Sequence, residues 1–272
     1  MKRFLKVLYV ALILLFLYIP IFTLMVLSFN NGKSMGHWSG FSLHWYAEMF
    51  QDTMIMEALR NTLVIALIAA VVSTIIGTMT CIGISRMKPR SRNTLLAVNS
   101  IPLLNADIVT GLSLMLMFVA FGITLSMGTV VLAHITFCIP YVILSVRPKL
   151  RQAGLTTYEA ALDLGASPWY AFWKVTFPEI SPGVISGFLM AFTMSVDDFI
   201  VTHFTRGAGV NTLSTMIYGQ VKIGIRPTVY ALSTIVFVAV LIILLFANFL
   251  PKKKEEKQAR AQRVRPQGKE EA

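Results

Sequence analysis

Residues Thr156–Pro178 read TTYEAALDLGASPWYAFWKVTFP, and the start and stop signals in this stretch decide how the chain is organised. Thr156 and Glu159 have the S/T-x-x-E spacing of a capping box, which predicts a helix start. Ala160, Ala161 and Leu164 follow as an apolar patch at helical spacing. Gly165 is free to take the left-handed conformation that ends a helix. Ser167 before Pro168 is a second start, an N-cap followed by proline at the first helical position. Pro178 and Pro182 are expected to stop that second helix. The stretch therefore predicts two short helices joined by a glycine elbow. Such an elbow either packs on its own bundle or fits a groove on a partner, and small alanines beside one acidic residue suit close docking.

Outward from this loop the chain is apolar on both sides. Of 272 residues, 56% are hydrophobic and only 14% charged, against roughly 25% charged in a soluble domain, and the mean hydropathy is +0.69. That balance excludes a soluble globular protein and an intrinsically disordered one. A bilayer-spanning helix needs about 20 mostly apolar residues. Six stretches qualify: Val7–Phe29, Thr62–Ser85, Leu95–Phe121, Gly128–Val146, Gly183–Thr202 and Thr228–Leu250. The expected fold is an all-α integral membrane protein of six spans over residues 1–251, with the loop 147–182 between the fourth and fifth. A charged tail at 252–272 is expected to be disordered or frayed.

Lys and Arg set the orientation. Nineteen of the 24 fall on the side of the two termini and of the 147–182 loop, so both termini and that loop are expected in the cytoplasm. The net charge of +11 is explained by this placement, and no nucleic-acid-binding motif accompanies it. Cys81 and Cys138 lie singly inside apolar runs, which indicates neither a metal site nor a disulfide framework. The fragment Gly32-Lys33-Ser34 has Leu27 where a P-loop needs its first glycine, so no nucleotide site is expected in this chain. No metal-ligand cluster or nucleophile elbow is present, and no covalent chemistry is expected.

Glu159-Ala160-Ala161, three residues, Gly165, nine residues, then Val175-Thr176-Phe177-Pro178 resembles the EAA motif of ABC-importer permeases, E-A-A-x3-G-x9-I-x-L-P. Glu159, Ala160, Ala161, Gly165 and Pro178 match outright, while Val175 and Phe177 are apolar replacements for Ile and Leu. The resemblance implies a permease subunit of a binding-protein-dependent importer with the MetI-like fold, in a bacterial inner membrane. It implies three kinds of partner: a second permease, an extracytoplasmic binding protein and a dimer of ATPase subunits. The loop helices would fit a cleft on the ATPase, so that nucleotide-driven closure reaches the spans. ATP and Mg would be bound there and no cofactor in this chain.

Three carboxylates lie inside expected spans: Asp107 in the third, Asp197 and Asp198 in the fifth. Each costs on the order of 2.5–3.5 kcal/mol near the bilayer centre and so calls for a reason. At about 1.5 Å per residue, Asp107 and Asp197 sit about 18 and 21 Å from the cytoplasmic ends of their spans, close to one depth. They would then line one layer of a shared cavity. Ser195 is on the helix face of Asp198 and adds a hydroxyl. A structural alternative pairs the carboxylates with Arg206, His203 or another subunit. His134 reads as a hydrogen-bonding core residue. Trp45 offers a cation–π surface for an alkylammonium, although an interfacial aromatic belt also accounts for it, together with Trp38 and Tyr46.

Phe192–Phe199 (FTMSVDDF), His134–Pro140 (HITFCIP), Tyr18-Ile-Pro20 and Ser28-Phe-Asn30 resemble the PotC-type permeases of spermidine/putrescine importers, over most of the chain up to Pro251. The resemblance implies a polyamine cargo and a cation path through Asp107, Ser195, Asp197 and Asp198, with Trp45 at its outer mouth. Two alternatives stay open: the same machine with another cationic cargo, and a gradient-driven carrier using the aspartates as an ion relay.

Overall fold

The structure is a computed structural model that describes residues 2–32, 37–154 and 156–242, with the side chains of Lys2, Arg3 and Thr156 not described. Eleven helices are α1 (Lys2–Ser28), α2 (His44–Gln51), α3 (Thr53–Ser85), α4 (Pro89–Leu104), α5 (Asp107–Ala120), α6 (Met127–Ala153), α7 (Thr156–Asp163), α8 (Pro168–Ala171), α9 (Phe177–Asp197), α10 (Ile200–Thr205) and α11 (Leu213–Ile223). A twelfth, α12, is described over Pro227–Ile242. The residues fall into two compact units, Met1–Asp52 with Gly224–Ala272, and Thr53–Ile223. The capping-box side chain of Thr156, the end of the expected sixth span (243–250) and the tail 252–272 lie outside the described residues.

In the first unit α1 is apolar on all sides and none of its spanning window is buried, the pattern of a helix solvated by lipid. Beyond it Asn30 bridges to Phe41, and the Phe29 and Phe41 rings stack at 5.3 Å. Ser28 Oγ and Tyr46 Oη, 2.7 Å apart, tie the end of α1 to α2.

The second unit is built on α3, α6 and α9, which pack on one another. Small side chains allow it. Gly183, Gly187, Ala191 and Ser195 recur every four residues along α9 and are buried. A Cβ at Gly187 would stand 3.3 Å from Val142 Cγ1 on α6. Without a hydrophobic force between helices in lipid, such close backbone approach supplies the packing energy. On α3, a Cβ at Gly77 would meet Val142 Cγ1 at 2.8 Å and Val142 Cβ at 2.9 Å. Gly77→Ala is therefore expected to lower stability by about 1–3 kcal/mol through overpacking. Gly219→Ala on α11, where nothing lies within 4 Å, is expected to be neutral or to gain helix propensity. Thermal unfolding of the two purified variants checks the contrast.

Among the described residues, four helical segments are long and apolar enough to cross a membrane: Phe4–Ser28, Thr53–Ser85, Met127–Ala153 and Pro168–Asp197. The expected third span is not one helix, because α4 and α5 meet at 105°. Pro102 inside α4 lacks the N–H of a regular helix, and Asn105 and Ala106 are extended at the junction. Counting the bent pair as one span gives five, and α12, a shorter apolar helix, overlaps the stretch expected as the sixth. The fifth span also departs from expectation at both ends. Pro178 and Pro182 do not stop the second loop helix, since Pro168–Asp197 is continuous through a π turn at Phe172–Thr176. There Phe177 N–H reaches back to Phe172 O, and the widened turn lets Pro178 follow directly at the start of α9. At the far end α9 stops at Asp197, Asp198 is extended, and α10 starts anew.

Candidate functional site

The two helix breaks open into the same space. A cavity of about 300 Å³ is lined by Asp107 and Thr110 from α5, Pro102 from α4, Phe137 and Tyr141 from α6, and Met194 and Asp197 from α9. Asp198, Phe199, Ile200 and Val201 from the second break complete it. The structure thus brings Asp107, Asp197 and Asp198 to one cavity, at two helix breaks and not within straight helices. Each break has an aspartate at the start of the following helix, where the positive end of the helix dipole favours a carboxylate. The helices that end there, α4 and α9, bring the negative ends of their dipoles to the breaks, a second source of negative potential, and the Val196 carbonyl in the last turn of α9 accepts from Ser214 Oγ at 3.4 Å. Gly111 holds α5 against α10: a Cβ there would stand 3.2 Å from Val201 Cα and 3.2 Å from Phe204 Cδ2.

The three carboxylates differ in their partners. Asp198 is engaged within the chain: Oδ1 accepts from Val201 N–H at 3.2 Å and Oδ2 from Thr202 N–H at 2.7 Å, capping α10. Oδ2 also lies 2.9 Å from Thr202 Oγ1 and 3.5 Å from His134 Nε2. His134 is buried, with Nδ1 2.6 Å from Ser195 Oγ and Nε2 2.9 Å from Thr202 Oγ1. Ser195 is buried as well and directs its hydroxyl to His134 rather than lining the cavity. Asp107 and Asp197 are exposed, and among the described residues neither has an ion pair or a side-chain hydrogen bond. Arg206, considered above as a partner for Asp198, instead donates to Val210 O at 3.2 Å and to Asn211 Oδ1. His203 packs on Phe199 and Tyr218.

Residues 82–255 match the family described as the inner membrane component of binding-protein-dependent transport systems. The chain belongs to that family. It is 37% identical over 252 residues to the putrescine transport system permease protein PotI of Escherichia coli K12, covering 90% of each chain. It is 35% identical to the spermidine/putrescine permease protein PotC of Haemophilus influenzae, covering 93% of this chain and 98% of that one. With PotC of E. coli K12 the identity is 33%, over 88% and 90% of the two chains. The fold is likewise that of a solved ABC importer of the acidic polysaccharide alginate, with a TM-score of 0.72 and 16% identity over 93% and 95% of the two chains. A second structure of an alginate ABC transporter, in complex with a pentasaccharide-bound periplasmic protein, has a TM-score of 0.65 at 17% identity. The protein is a multi-pass membrane permease subunit of an ABC importer, not an enzyme.

In this permease the EAA stretch forms the expected elbow. Gly165 has φ +86°. Ala166 N–H bonds Ala161 O at 3.1 Å and Gly165 N–H bonds Leu162 O at 2.9 Å, the paired bonds of a Schellman end. Ser167 Oγ then accepts from Tyr170 N–H at 3.3 Å to begin α8. Glu159, Ala160, Gly165 and Pro178 are exposed, and Ala161 is partly buried. Leu164, beside the elbow, is 90% exposed and Trp169 72%, so these two side chains present apolar surface that is not packed on the described residues. The Arg86 guanidinium lies over the Tyr158 ring at 5.2 Å, joining the loop to the end of α3.

Trp45 stands in the first unit. It is buried, and its indole N–H donates to Asn30 O at 2.6 Å. The residues that sequence reasoning did not single out are Thr110, Phe137, Tyr141 and Thr202. Phe137 and Tyr141 repeat at i and i+4, one helical face. Thr202 lies four residues after Asp198, the spacing of a side chain one turn on.

Proposed function

We propose that the cavity at the two helix breaks is the part of an inward polyamine path that this permease contributes, with spermidine or putrescine as cargo. What carries the reading is the pairing of two carboxylates that have no partner among the described residues, Asp107 and Asp197, with the aromatic rings of Phe137, Tyr141 and Phe199 around one cavity. A polyamine alternates ammonium groups with methylene runs. The carboxylates and helix-end carbonyls replace the water around the ammonium groups, and the rings accept both the charge and the methylenes. Asp198 acts differently. It caps α10 and, through His134 and Thr202, fixes the break that presents Asp197.

A second permease completes the path, and an extracytoplasmic binding protein delivers the cargo. Both termini lie in the cytoplasm, as does the loop of α7 and α8. There Glu159, Ala160, Ala161, Gly165 and Pro178 dock on a dimeric ATPase that binds ATP and Mg. The polyamine names of the relatives support the cargo, and the exposed apolar side of the elbow supports the docking.

Labelled spermidine uptake into proteoliposomes holding the full complex and its binding protein tests the reading. Uptake is expected to require internal ATP, to be competed by unlabelled spermidine or putrescine, and to ignore sodium or proton gradients. Uptake driven by a gradient without ATP would sink it. An active ATPase complex that moves a different cation and not polyamines would retain the machine and discard the cargo.

A further inference from the structure

We propose that the permease carries a binding site for an acidic phospholipid between α3, α4 and α6, at the end of the bundle that holds the coupling loop. A cavity of about 190 Å³ there is lined by Arg92 of α4 and by Arg147 and Arg151 of α6, with apolar walls from Ile84, Leu96 and Leu150. Among the described residues, no carboxylate forms an ion pair with any of these arginines. Arg92 Nε is buried without a hydrogen-bond partner. Three guanidinium groups around one space repel one another, and a buried N–H left unpaired is costly. A phosphate answers both, because its oxygens accept paired guanidinium hydrogen bonds.

The adjoining space decides between a free phosphate and a lipid. A second cavity of about 360 Å³ shares Ile84 and Ile143 with the first and is almost wholly apolar, walled by Met87, Leu95, Val98 and Ile139. Gly83 opens it, with nothing within 4 Å of the place a Cβ would occupy. An arginine-lined chamber beside an apolar one, with Ile84 and Ile143 in the walls of both, matches a phosphate headgroup with its acyl chain. Basic pockets between spans on the cytoplasmic side have this use in other membrane proteins. The site rests on the reading above only in placing the loop end at the cytoplasmic leaflet.

The test is lipid binding to the assembled, purified complex, read by native mass spectrometry with phosphatidylglycerol and phosphatidylcholine of the same acyl chains. Wild type is expected to favour phosphatidylglycerol by about tenfold. Arg92→Gln/Arg147→Gln should abolish that preference. Gly83→Leu, whose Cβ meets no neighbour within 4 Å and whose side chain takes up space at the apolar chamber, should weaken binding of phosphatidylglycerol while the arginines remain. Equal binding of the two lipids by wild type, or an unchanged preference in the arginine variant, overturns the proposal. Displacement of phosphatidylglycerol by millimolar inorganic phosphate also overturns it, in favour of a free-anion site. The same preparations are assayed for spermidine uptake. Uptake without lipid selectivity removes the lipid site alone, and lipid selectivity without uptake removes the cargo alone.

Discussion

Asp107→Asn/Asp197→Asn is expected to lower ATP-dependent spermidine uptake by about 100-fold while the complex still assembles. A charge-assisted hydrogen bond is worth about 1.5–3 kcal/mol, so two carboxylates meeting two ammonium groups contribute about 3–6 kcal/mol, and 100-fold is the low end of that range. Both side chains are exposed and have no ion pair or side-chain hydrogen bond among the described residues, so the amides break no bond there. Asp198→Ala should behave differently. It removes the acceptor of the Val201 and Thr202 N–H groups and leaves buried His134 facing an empty position. The expected result is a loss of about 1–3 kcal/mol in stability and a fall in assembled complex. Uptake near wild type in the Asp107/Asp197 variant would remove these residues from the path. Loss of assembly in that variant would make them structural.

The difference between those variants marks where the sequence was legible. The cavity's three aspartates were visible because a carboxylate in an apolar run is costly and needs a reason. Their separate roles were not visible, because Asp198 differs from Asp197 only in what surrounds it. Its partners His134 and Thr202 come from α6 and α10, and the break that makes Asp198 a cap is a feature of tertiary structure. The break before Asp107 has Pro102, Asn105 and Asp107 as its local signals, but the apolar run from Leu95 to Phe121 continues through them. Hydropathy measures that run and is blind to a 105° bend. The reverse error occurred at Pro178 and Pro182. Proline is a strong stop signal in water, yet a membrane helix re-satisfies the freed groups through local adjustment, here the π turn at Phe172–Thr176. The elbow was readable because each of its signals acts within a few residues: the Gly165 φ, the Schellman bonds and the Ser167 cap all follow from local sequence.

Gly165→Val is expected to uncouple the importer, with ATP hydrolysis continuing and spermidine uptake falling to background. At φ +86° a β-branched residue is strained. The loop must therefore leave that conformation, and the angle between α7 and α8 changes with it. Nothing lies within 4 Å of a Cβ at this position, so the substitution disturbs the backbone and not the packing of the bundle. The permease should reach the membrane and assemble with its second permease in normal amount. Gly165→Asn is the control that isolates the cause. Asparagine tolerates the left-handed region far better than valine and occurs at helix C′ positions, so that variant should retain most of its uptake. If valine and asparagine impair uptake equally, the side chain itself obstructs docking and backbone strain is not the cause. If Gly165→Val transports normally, the elbow is not the element through which the ATPase moves the spans. The link from Glu159 and Leu164 to the cavity would then have to be sought elsewhere.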